Sequence, residues 1–197
     1  MTTNMSEISA RSRIFIIFKY TVYGLLLLNI ALFFIFGEPH EAIDSLGWIL
    51  LLGSFEYETS SIDQEYSSPI EKYVLWTLQS VGYALALYAT WSYWQAAQWP
   101  DFVNAIAWLC VCAAIAYDVY VPGEYGGLEW RIRNLGKGVL YAILLAVAVW
   151  WAYDGLVVEH TAHGLLELYD ALLWIVCFGV IELNIFANDA EAQAGSP

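Results

Sequence analysis

Positive charge is what this sequence has least of. Seven of its 197 residues are Lys or Arg, against 20 Asp and Glu, which leaves a formal net charge of −13. Binding nucleic acid requires a cationic surface that neutralises phosphates and releases counter-ions, so nucleic acid is excluded as a partner. Charge of either sign is sparse: 14% of the residues are charged and 60% are hydrophobic, whereas soluble domains carry about 25% charged and roughly 45–50% apolar residues. A soluble fold of this length has nowhere to hide so much apolar surface. Cysteine is also scarce. Cys110, Cys112 and Cys177 all fall inside apolar runs, where they act as small hydrophobes and form no disulfide framework. Cys110 and Cys112, two residues apart, point to opposed faces of a helix and do not chelate together. Low-complexity linkers and internal repeats are missing too, which leaves a single domain as the simplest organisation.

Long apolar runs are what the chain does have. A helix needs about 20 apolar residues to cross the hydrocarbon core of a bilayer at about 1.5 Å per residue. Five runs qualify: Ile14–Phe36, Tyr73–Trp94, Phe102–Val121, Gly138–Val158 and Leu165–Phe186. The first is too long for a signal-peptide core and no small-x-small cleavage site follows it, so it is expected to be a retained anchor. A sixth run, Leu46–Phe55, covers only about 15 Å as a helix and spans only if the polar residues between Glu41 and Ser60 are recruited. The expected fold is therefore an all-α, polytopic transmembrane helical bundle with six inserted segments, the second of them short. A bundle over 13–187 is flanked by cytoplasmic tails at 1–12 and 188–197.

The basic residues test whether the short segment crosses. With six spans and a cytoplasmic N-terminus, Arg11, Arg13, Lys19, Lys72, Arg131, Arg133 and Lys137 all fall at cytoplasmic ends or loops, as the positive-inside rule requires. Without that crossing four of them move outside and the rule fails. Trp48 to Leu52 is also apolar all round, unlike an amphipathic helix lying on the surface. Both termini are thus expected in the cytoplasm, in a multi-pass protein of the cell (inner) membrane. The expected loops are short: Gly37–Asp44, Gln95–Asp101 and Glu159–Gly164 outside, Thr59–Glu71 and Pro122–Gly136 inside. Short loops imply antiparallel neighbours, and Pro69, Pro100 and Pro122 mark boundaries where their missing N–H is tolerated. Gly82, Ala86 and Thr90, and likewise Gly138, Ala142 and Ala146, repeat at i+4 and are expected to form helix contacts. Trp94, Trp99, Trp130, Trp150 and Trp151 suit the headgroup region.

This topology sorts the ionisable residues into two groups at opposite faces. The outer group holds the three histidines. If the last helix begins near Glu159, then His160, His163 and Glu167 stand on one helix face, and His40, Glu38 or Glu41 from the first outer loop supplies a fourth ligand. Imidazole with carboxylate suits zinc or another first-row divalent ion. The inner group comprises Glu56, Glu58, Asp118, Glu182 and Asn184. Carboxylates in lipid are costly unless they face the bundle interior, pair or meet water, so these are expected to converge on a polar vestibule. Asp170, on the last helix with Glu167, lies along the candidate ion pathway.

Several chemistries are set aside. A retinal protein needs a lysine deep in the bilayer, and Lys19, Lys72 and Lys137 lie towards span ends. Buried haem uses an axial histidine, and none is in mid-span. No Ser/His/Asp, phosphate-loop or zincin pattern is present, so no enzymatic activity is expected. Asn29 followed by Phe55-Glu56-Tyr57 resembles the opening helices of voltage-sensor domains, whose second helix carries an inward acid. That family places arginines at every third position within a span, whereas Arg131, Arg133 and Lys137 precede theirs. The functional expectation is cation handling, of a proton or a divalent metal, at intramembrane carboxylates. The alternative is a non-catalytic membrane subunit, scaffold or assembly factor. The expected partners are the lipid bilayer and either a second copy of the chain or another membrane protein.

Overall fold

The computed structural model describes residues 2–60, 68–121, 127–158 and 163–178, and it is helical throughout apart from short corners. Helix α1 is Thr2–Phe36, α2 Pro39–Ser60, α3 Pro69–Gln95, α4 Trp99–Tyr120 and α5 Leu128–Tyr153. A π-helical turn, Asp154–Val158, continues α5, and a sixth helix, α6, occupies 163–178. The proline expectations hold at two places. Pro69 opens α3 behind Ser68, whose hydroxyl accepts from the Glu71 amide at 3.3 Å, and Pro100 sits in the first turn of α4. Those are the positions where a missing N–H costs nothing. Pro122 lies outside the described residues, as does the expected tail at 188–197.

Helices run further than the apolar stretches that reveal them. Three of the expected loops are largely helical: α2 begins at Pro39, so His40, Glu41 and Asp44 are helical instead of lying in a loop, α4 begins at Trp99, and α5 takes in Arg131, Arg133 and Lys137. Hydropathy marks only the part of a helix whose outer face meets lipid, while backbone hydrogen bonding continues wherever side chains can be solvated or buried against one another. The short run Leu46–Phe55 thus belongs to a helix of 22 residues, about 33 Å long.

Among the described residues three segments are long and apolar enough to cross a membrane: Arg13–Phe36, Trp99–Tyr117 and Leu128–Val158. The distribution of surface agrees with lipid as the solvent. Ile14, Phe34, Trp91 and Val149 are each more than 60% exposed, whereas Asn29 and Glu41 are 1% and 4% exposed. Large apolar groups on the outside, around an apolar core that also buries a few polar side chains, suit lipid as the solvent.

Consecutive helices pack side by side from α1 to α5. The α6 helix adjoins α1 through Phe33, Leu166 and Tyr169, and α5 through Trp151, Ala148 and Ala171. The closest approach is between α2 and α3. A Cβ on Gly47 would stand 3.0 Å from the Gly82 carbonyl oxygen, and one on Gly82 would stand 2.8 Å from Leu51 Cγ. The expected Gly82/Ala86/Thr90 face is therefore a helix contact, with all three residues buried. The Gly138/Ala142/Ala146 face is not: all three are exposed. The i+4 pattern makes a face smooth without specifying that this chain covers it. At the centre, Trp48 of α2, Trp108 of α4 and Trp174 of α6 meet with ring centroids 6.4–6.5 Å apart, and Phe178 packs on Trp108 at 4.8 Å.

Candidate functional site

The first turns of α2 carry acids onto the same face as its tryptophan. Glu41, Asp44 and Trp48 are spaced three and four apart and lie on one face of a helix. The α6 helix repeats this pattern in the same direction with His163, Glu167, Asp170 and Trp174. Where the two faces meet, above the tryptophan layer, they line a half-open cavity of about 20 Å³. That is room for one water or one ion. Five carboxylates line it, Glu41, Asp44, Asp101, Glu167 and Asp170, together with Tyr93, Asn104 and Trp151. Among the described residues that line it there is no lysine or arginine.

At the mouth, His163 Nε2 stands 3.0 and 3.1 Å from the two carboxylate oxygens of Glu41, and its Nδ1 is 3.7 Å from Glu167 Oε1. One ligand atom from each of Glu41, His163 and Glu167 can be chosen so that all three lie within 4.8 Å of one another. Glu41 is held in place by the α1–α2 corner, where the Glu38 amide donates to its Oε2 at 2.6 Å. One turn deeper, Tyr93 donates its hydroxyl to Asp44 Oδ2 at 3.3 Å, while Asp44 Oδ1 is sealed from solvent with no hydrogen-bond partner. Asp170 receives two donors on one oxygen, Asn29 Nδ2 from α1 and Trp174 Nε1 at 3.0 Å. Asn29 Oδ1 is likewise buried and unpartnered.

Of the outer residues singled out in the sequence, the structure brings His163 and Glu167 together and adds Glu41, one of the alternatives for a fourth ligand. His40 stands apart. Its Nε2 is 2.8 Å from Gln98 Oε1, its Nδ1 is 3.5 Å from Glu38 Oε2, and its ring meets Tyr93 edge-on at 5.1 Å, so it ties the start of α2 to the α3–α4 turn. His160 lies outside the described residues. Of the inner group, Glu56 accepts from Lys19 and, at 2.9 Å, from the Tyr23 hydroxyl, both on α1. Glu58 is half-buried. Glu182 and Asn184 lie outside the described residues, and so does the side chain of Asp118.

Sequence reasoning passed over Asp44 and Asp101, and it placed Asn29 only in a resemblance. Asp44 carried a signal, since it stands four residues before Trp48 and thus shares the face of the apolar stripe that the helix buries. Asp101 follows Trp99-Pro100 in a first helical turn, where an acid is ordinary, and nothing local marks it as turned inward. No protein-family model, curated protein or solved structure matches this chain.

Proposed function

We propose that this chain is a small integral membrane protein of the cell (inner) membrane that handles a cation, a proton or a divalent metal ion, at carboxylates inside a six-span bundle. The observation that carries the proposal is the convergence of Glu41, Asp44, Asp101, Glu167 and Asp170 on one small cavity whose described lining includes no lysine or arginine. Carboxylates in a membrane interior are expensive and persist where they serve an ion or proton pathway. Desolvation and mutual repulsion both favour a site that recruits positive charge.

The alternating helix direction that a six-span arrangement requires is supported by antiparallel side-chain links between successive helices. Lys19 meets Glu56 across α1 and α2, Tyr93 meets Asp44 across α2 and α3, and Tyr117 meets Glu129 across α4 and α5. In this arrangement the basic residues collect at one face, the cytoplasmic one, and the carboxylate cavity lies towards the other. The tryptophan layer then separates the outward-facing cavity from the Lys19–Glu56–Tyr23 cluster. Passage of an ion requires that layer to open, in a channel-like or alternating manner, with no covalent chemistry.

The test is flux in proteoliposomes for protons, Zn²⁺ and monovalent cations. Transport by the native chain that falls at least about tenfold in Asp170→Asn supports the proposal, since loss of a charged intramembrane group removes the pathway's binding step. Absence of flux for every ion overturns it. The second reading, a non-catalytic subunit or scaffold, rests on the exposed Gly138, Ala142 and Ala146 of α5, a smooth stripe suited to a helix of another copy or another membrane protein.

A further inference from the structure

We infer that the mouth of the cavity is a binding site for one first-row divalent metal ion of the zinc type, with Glu41, His163 and Glu167 as its protein ligands. The inference deepens the cation reading by naming the ion class, and it rests on that reading only for its role, not for its existence.

The chemistry of the donors selects the ion. One imidazole with two carboxylates suits Zn²⁺, Mn²⁺, Fe²⁺ or Co²⁺, whereas Cu(I) requires thiolate or thioether donors and Ca²⁺ takes oxygen alone. The geometry is close to what binding needs. Two ligands held at about 2.1 Å from a tetrahedral ion stand about 3.4 Å apart. The Nε2 of His163 is already 3.0 Å from Glu41 Oε1, and the ligand atoms of the set lie within 4.8 Å of one another.

Exposure grades along the set in the order an entry path requires. The His163 side chain is 34% exposed, Glu167 13% and Glu41 4%, so an ion meets the imidazole first and the buried carboxylate last. Charge gives a second argument. A divalent ion at the mouth supplies two positive charges beside Glu41 and Glu167, where the described lining residues include no lysine or arginine. A third observation is independent of the triad. Asp44 lines the same cavity, and its Oδ1 is sealed from solvent without a hydrogen-bond partner. Buried carboxylate oxygens are rarely left unpaired, and beside the Tyr93 and Trp48 donors to Asp44 a water carried by the ion would complete its set.

The test uses the full-length chain in detergent micelles, stripped with a chelator and titrated with Zn²⁺, and with Co²⁺ as a spectroscopic probe. Binding of one ion per chain is expected, with affinity lowered at least about tenfold by His163→Ala and by Glu167→Gln, the scale on which lost metal-site groups act. His40→Gln, whose ring faces Gln98 and Glu38, is expected to leave affinity within about twofold, since it supplies no ligand. Should the variants unfold, the native chain alone decides: added Zn²⁺ raises its melting temperature and chelator reverses the shift. Absence of binding to the native chain, or binding that survives His163→Ala and is lost in His40→Gln, overturns the site. Because the readout is binding, stoichiometric metal without flux would leave this site standing and remove the transport reading, while proton flux without metal would do the reverse.

Discussion

Asp170 of α6 ties its helix to α1 and turns towards α2 and α4. Asn29 of α1 and Trp174 of α6 both donate to its Oδ1, and its carboxyl faces a cavity shared with α2 and α4. Removing one partner of a buried polar pair costs more than the net value of the bond, because the group left behind keeps its desolvation penalty. Asn29→Leu, which has similar bulk and no donor, is therefore expected to lower stability by about 1–3 kcal/mol in a detergent unfolding titration. Trp174→Phe keeps a ring in the aromatic layer and loses only the Nε1–H, so about 1 kcal/mol is expected. Trp174→Ala also opens a cavity in the centre of the bundle, and there about 3–5 kcal/mol is expected. Equal losses for the Phe and Ala variants would show that ring packing contributes little.

Among the elements, the α2–α3 pair fixes the rotation of α2 and hence where its acids point. Gly47 and Gly82 face each other, and the nearest atoms to a Cβ on Gly47 would be the Gly82 carbonyl oxygen, Leu85 Cβ and the Ala86 amide, at 3.0–3.1 Å. A Cβ on Gly82 would stand 2.8 Å from Cγ of the buried Leu51 and 3.1 Å from the Gly47 carbonyl oxygen. Gly47→Ala and Gly82→Ala are accordingly each expected to cost about 1–3 kcal/mol in thermal unfolding, since overpacking against backbone and core has few ways to relax. The tryptophan layer, built from α2, α4 and α6, makes a different prediction. If it is the barrier below the cavity, Trp108→Ala raises ion leak through reconstituted protein severalfold, because a hydrophobic constriction blocks ions by excluding water. Unchanged leak would place the barrier elsewhere.

For the whole molecule, orientation is the property on which the functional reading turns. In a cysteine-free background, Glu38→Cys is expected to react with a membrane-impermeant maleimide on intact cells, and Ser68→Cys only after lysis. Glu38 is 57% exposed beside the cavity mouth, and Ser68 caps α3 at the end of the bundle where Lys72 lies. Labelling of Ser68→Cys from outside would reverse the sidedness of the cavity. At the opposite end, Lys19 and Glu56 pair across α1 and α2 with side chains 19% and 31% exposed. Lys19→Met alone is expected to destabilise the chain, and Lys19→Met with Glu56→Gln to recover much of the loss, because an ion pair broken on one side leaves an uncompensated charge.

The membrane class and the all-helical character were written in the sequence, because each is local or additive. An apolar run of 24 residues such as Arg13–Phe36 needs no partner to be recognised, and the basic residues count towards orientation wherever the helices settle. The site was legible only in part. His163 and Glu167 were visible as neighbours on one helix, but Glu41 lies 122 residues from His163 and Asn29 lies 141 from Asp170. Which acids share the cavity depends on how far each helix is turned about its axis. That rotation is set by contacts between helices, among them the close approach of Gly47 to Gly82, and helical periodicity along one strand of sequence carries no information about it.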